Sequence, residues 1–212
     1  MAKRQKFKYS CGAASLINAA YRLGMLDPAK ATDQLEEDIY YYSSHARRDN
    51  TTMPSGIIDA CHYMHEDLRL RVVEVQLNAS NGLTRQLEQR YPKEKALAEQ
   101  AGVHVSYRNA GPTLQSLVHP ALPVTSVALF VVQMSEGLHW LLWMSPHMYL
   151  DPDDGQTYVW FKGNTPNRGY RQTGITVILN RSPYSRPAAA HPGMLPIRGL
   201  SHNVVSTGPG WV

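Results

Sequence analysis

Gln5-Lys6-Phe7-Lys8-Tyr9-Ser10-Cys11-Gly12-Ala13-Ala14-Ser15 is the stretch on which the reading of this chain turns. Residues 11–23 read as a helix, with small or apolar positions at Ala13, Ile17, Ala20 and Tyr21, and Gly24 as its C-terminal stop. Cys11 therefore opens that helix. Free N–H groups at a helix N-terminus favour negative charge, which is what a thiolate nucleophile needs. Gln5, six residues upstream, can donate its side-chain amide toward the same point and help to hold an oxyanion. Together these residues point to acyl transfer: a peptidase, an amidase or a deamidase.

A lone cysteine is more often a small core residue than a nucleophile, so the second half of the chain carries the weight. His139 lies in Gly137-Leu-His139-Trp140-Leu-Leu-Trp143, an apolar run that reads as a buried strand. Asp151 ends the next short run, Met148-Tyr149-Leu150, ahead of Pro152 and the turn Asp153-Asp154-Gly155. Two neighbouring antiparallel strands put His139 and Asp151 side by side. A base oriented by a carboxylate is the arrangement that activates a thiol. Asp153 and Asp154 compete for the orienting role; Asp151 is preferred because it follows the strand and precedes the proline.

The order Gln5, Cys11, His139, Asp151, with His139 128 positions after Cys11, resembles the papain-like cysteine peptidase superfamily. More narrowly it resembles the bacterial branch that includes the leader-cleaving peptidase domains of bacteriocin exporters and related effector proteases and deamidases. The motifs that match are Gln5, Cys11-Gly12-Ala13-Ala14, His139-Trp140 and Asp151-Pro152, and the likeness runs from about residue 5 to residue 162. The resemblance implies Cys11 as nucleophile, His139 as base, Asp151 as its orienter and Gln5 as oxyanion donor, with Gly12 and Trp140 at the substrate. The fuller Cys-Gly-[SA]-Cys-Trp signature of papain itself is absent.

Walking outward, Asp27-Pro28 reads as a cap and first turn of a helix reaching about Tyr42. A polar loop spans residues 43–52. Pro54 opens a helix to about Glu66, whose Ile57, Cys61 and Met64 share a core face. Residues 69–77 alternate as a strand with one slip, and 82–101 is helical but broken at Pro92. A strand is expected over 103–107, a helical turn over 113–118, and strands over 124–133, 139–144, 148–151, 158–162 and 174–179. Helices first and strands later define an α+β class. The expected architecture is papain-like: N-terminal helices, with the nucleophile helix packed on a C-terminal antiparallel sheet. Residues 1–180 form the hydrolase domain. Residues 181–212, with five prolines and four glycines, form a tail able to hold a protein partner.

Composition fits one globular domain of 212 residues with 43% hydrophobic and 18% charged side chains. No run of about 18 apolar residues is present, so no membrane span is expected, and no apolar signal segment follows the basic start. The expected location is the cytoplasm, or export without a cleaved signal. The net charge of +4 belongs to the ends: Lys3, Arg4, Lys6 and Lys8 supply four positive charges, and Arg181, Arg186 and Arg198 supply three, leaving the body at −3. That argues against nucleic acid, which wants a basic face on the folded body. The basic start is read as a solvated terminus. Two cysteines make no disulfide framework. Cys61-His62-x-x-His65 lacks further ligands for zinc, and no cofactor or metal is expected. Three functions remain: cleavage of a peptide amide, deamidation of (or transamidation at) glutamine by an effector toxin, or peptide binding by an idle site.

Overall fold

The computed structural model describes residues 2–44, 50–109 and 122–183. The expected turn over 113–118, the tail beyond residue 183 and much of the polar loop fall outside them.

Helix α1 (Cys11–Arg22) is almost wholly buried, because its small residues Ala13, Ala14, Ala19 and Ala20 let it press against its neighbours on every side. Asp27 caps a single 3-10 turn, Pro28–Lys30, rather than a long helix. The chain leaves helical geometry at Ala31 (ψ 58°), and α2 (Asp33–Ser44) starts afresh with the Thr32 hydroxyl accepting from Leu35 N–H. The expected helix from Pro54 likewise divides at Met64 into α3 (Pro54–Tyr63) and α4 (His65–Leu68), the latter stopped by Arg69 in the left-handed region. Helices α5 (Gly82–Arg90) and α6 (Glu94–Gln100) flank the break at Pro92, and Asn81 caps α5 through the N–H groups of Leu83 and Thr84.

The strands are β1 (Leu70–Asn78), β2 (His104–Arg108), β3 (Ser126–Met134), β4 (Gly137–Ser145), β5 (Met148–Asp151), β6 (Gln156–Val159), β7 (Phe161–Lys162), β8 (Thr165–Pro166) and β9 (Arg171–Arg181). Seven form one sheet in the order β2-β1-β9-β3-β4-β5-β6, antiparallel except for the parallel β1–β2 pair. The slip read in the sequence of β1 is a real register shift between Val72 and Glu74. The run expected as one strand over 158–162 breaks at Trp160, whose N–H turns to His147 O, and β7 pairs with β8 in a separate ribbon. The class is α+β. One sheet face, with Val75, Leu77, Leu129, Val131, Trp140, Leu142 and Val177, buries against the helices. The opposite face, with Phe130, Leu141, Tyr149, Tyr170 and Ile178, closes over Trp160. The central strands β3, β4 and β9 thus read apolar on both sides, as expected for a sheet covered on both faces.

Candidate active site

Cys11 is the first residue of α1, and the helix's first internal bond runs from Ala14 N–H to Ser10 O. The N–H groups of Cys11, Gly12 and Ala13 therefore have no acceptor within the helix. Ser10 does not cap them: its hydroxyl is engaged with Phe7 O and with Glu36. The helix is anchored to the sheet by Ser15, whose hydroxyl donates to Trp140 O.

That anchor holds α1 against β4, and Cys11 is among the groups that act on His139 there. With Leu142 opposite Leu150, His139 and Asp151 fall on the same face of adjacent strands. Their contact is direct: His139 Nε2 lies 2.8 Å from Asp151 Oδ1. Asp151 is completely buried and His139 nearly so. Burial alone would lower the His139 pKa, but the bonds to Asp151 and Cys11 raise it to about 10. Burial would likewise raise Asp151, yet the hydrogen bond and charge of His139, the Asp153 N–H and the Tyr170 hydroxyl hold its carboxyl well below the usual range.

The neighbouring acids are engaged elsewhere. Asp154 Oδ2 takes Arg168 Nη2 at 2.7 Å and the Tyr158 hydroxyl at 2.5 Å, while Asp153 meets Asp151 only through its backbone N–H. Arg168 and Tyr170, both on Asp151 Oδ2, were not singled out from sequence. Their signal was faint, since Gly163–Gly169 reads simply as a turn-rich loop.

Gln5 reaches the same neighbourhood through its backbone, its N–H donating to Pro152 O at 2.6 Å. Its Nε2 donates to Phe7 O at 2.6 Å, and its Oε1 is buried without a hydrogen-bond partner among the described residues. Trp140 is 1% exposed, with its indole N–H on Thr52 O, so it presents no ring face to a substrate. It buttresses the Thr52 segment instead. Gly12 packs against that segment: a β-carbon there would stand 2.8 Å from Thr52 Cγ2. Cys61 lies in the core of α3, where burial pushes its thiol up to about 12.

The basic start of the chain is docked rather than solvated. Lys3 and Asn18 exchange two hydrogen bonds, Arg4 Nε donates to Asp153 O, and Lys6 N–H donates to Glu36 Oε1. Glu36, fully buried in α2, is the reason: a buried carboxylate needs partners, and Lys3 Nζ, 3.2 Å from Oε2, supplies the charge. Lys3 also pairs with Asp33.

A thiol at a helix mouth, with a buried histidine–carboxylate pair against it, is the equipment of a cysteine hydrolase, and comparison with known proteins agrees. The chain matches the family model described as Invasion plasmid antigen J, cysteine protease, over residues 3–182, and so belongs to that family of cysteine peptidases. It is 25% identical to the cysteine protease IpaJ of Shigella flexneri, in an alignment covering 84% of this chain and 78% of that protein. No solved structure matches. A protease acts on a protein or peptide. Among the described residues, no helix is long and apolar enough to cross a membrane.

Proposed function

We propose that the chain hydrolyses a peptide amide through a triad of Cys11, His139 and Asp151 in a papain-like arrangement. The observation that carries this is the direct contact of His139 with the buried Asp151, with Cys11 at the start of α1 near enough to help raise the histidine's pKa. With Nε2 engaged by Asp151, His139 has Nδ1 left for the sulfur. The Cys11 sulfur attacks the scissile carbonyl carbon, and the Cys11 N–H and one Gln5 amide hydrogen hold the oxyanion. The bond from Gln5 Nε2 to Phe7 O uses one of the two amide hydrogens and leaves the other for this purpose. As the C–N bond breaks, the His139 imidazolium gives its proton to the departing amine. His139 then takes a proton from water, whose oxygen attacks the acyl carbon, and the Cys11 sulfur leaves.

Glutamine deamidation uses the same groups with ammonia as the leaving group, and an amine in place of water gives transamidation. One experiment separates them. Incubate wild type and Cys11→Ala with a peptide library and read intact masses. New fragments that vanish in Cys11→Ala, with turnover lower by several orders of magnitude, are expected. A gain of about one dalton without fragments would replace peptidase by deamidase. Unchanged cleavage by Cys11→Ala would remove the nucleophile assignment altogether.

A further inference from the structure

Asp151 raises a problem that His139 alone does not solve. Its carboxylate is fully buried, and a buried charge is tolerated only when paired. In the triad chemistry His139 is cationic at one stage and neutral at the next, so it is an intermittent counter-charge. A permanent one stands on the other oxygen. Arg168 Nη1 lies 2.6 Å from Asp151 Oδ2, and the Tyr170 hydroxyl donates to the same oxygen at 2.8 Å.

The local backbone is arranged around this contact. Arg168 occupies a single 3-10 turn, Asn167–Gly169, between β8 and β9, with φ +67°, a left-handed geometry costly for a residue with a β-carbon. What holds it there is engagement along the whole guanidinium. Nη1 meets Asp151 and the Tyr170 hydroxyl, Nη2 meets Asp154, and the plane lies 4.4 Å from the Tyr158 ring centre. Asp151 and Asp154 are the two ends of the turn after β5, so one side chain grips that turn at both ends. Arginine does not lose its proton in this range.

We infer that Arg168, assisted by Tyr170, is a positioning residue of the hydrolytic site that keeps Asp151 ionised and fixed while His139 gains and loses its proton. The inference rests on the triad reading. Among the described residues, the titratable and charged groups around Asp151 are His139 from β4, Tyr149 from β5, Asp153 and Asp154 from the turn, Tyr158 from β6, Arg168 and Tyr170 from the approach to β9, Cys11 from α1 and Arg4 from the N-terminal segment.

The test needs no substrate. Iodoacetamide labelling of Cys11, resolved from Cys61 by peptide mass spectrometry, is followed from pH 4 to pH 9 in the full chain, for wild type, His139→Ala, Arg168→Gln, Arg168→Lys and Tyr170→Phe, with thermal unfolding alongside. Loss of Arg168 removes an opposite charge in direct contact with Asp151, so the carboxylate is held less firmly on His139 and the imidazolium beside Cys11 is stabilised less. The acid limb of labelling should move up by about one pH unit or more in Arg168→Gln. It should move less in Tyr170→Phe and return most of the way in Arg168→Lys. An Arg168→Gln protein that melts earlier but labels with an unshifted acid limb, while His139→Ala slows labelling, would overturn the inference and leave the triad standing. Unchanged Cys11 labelling in His139→Ala would overturn both. If Arg168→Gln does not fold, Arg168→Lys and Tyr170→Phe decide: no shift in Tyr170→Phe counts against the proposal.

Discussion

Cys11 and Cys61 are the same group in two settings, and their surroundings decide what each can do. Both are buried, but Cys61 is packed in an apolar core, while Cys11 has N–H groups without an acceptor in the helix and an imidazole. The pH behaviour of the pair opposite Cys11 follows from its pKa shifts. His139 is raised from 6.5 to about 10, so its stabilisation is complete below pH 6.5 and is lost as pH climbs through about 10. Asp151 is depressed from 3.8, so its share is present above that value and is lost as pH falls further. Urea unfolding of wild type against His139→Ala should show the widest stability gap between about pH 4 and pH 6.5, closing steadily toward pH 10. A gap that does not change over that span would mean the pair is not ionised as described. The pairing of His139 with Asp151 was legible in the sequence because such side chains advertise chemistry wherever they occur. Arg168 and Glu36 were not. Their roles come from what the fold lays against them, and an arginine in a glycine-rich loop or a glutamate in a charged helix ordinarily faces water.

Close approach of α2 and α3 governs the element scale. Gly56 sits where a β-carbon would come within 1.9 Å of the Ser43 carbonyl oxygen, a backbone atom that cannot swing aside. Gly56→Ala should therefore separate the two helices and cost about 3 kcal/mol; denaturant unfolding measures it, and a loss below about 0.5 kcal/mol would show that the crossing gives way easily. Gly12 is a milder case, since the atom in its way is a side-chain methyl. Element types were mostly legible. Periodicity announced α1, the broken pair α5 and α6, and the irregular β1. Boundaries failed where local hydrogen bonds compete with the pattern: Thr32 starts a helix that the Asp27-Pro28 signal had seemed to own, and Trp160 interrupts a run whose composition is uniformly strand-like.

At the scale of the molecule, the sequence spoke to pairing only for the neighbouring strands that carry His139 and Asp151. Alternation says that a run is a strand but not which strand lies beside it, and nothing in β1 or β2 foretold their parallel union. Least legible was the place of β9, which lies between β1 and β3 and joins the two parts of the sheet. A chain ended at Pro183 should retain a single cooperative unfolding transition by circular dichroism, whereas one ended at Tyr170 should show none. Cooperative unfolding of the shorter chain would mean that β9 is dispensable.

That central position also sets a timetable. A chain growing from its N-terminus has Cys11 from the start but acquires His139 and Asp151 only much later, and the strand that locks their part of the sheet onto β1 follows them. At about 5–20 residues per second, Cys11 is made many seconds before the His139–Asp151 pair. A chain stopped short of His139 therefore carries the cysteine of the proposed triad without the histidine and aspartate that would complete it.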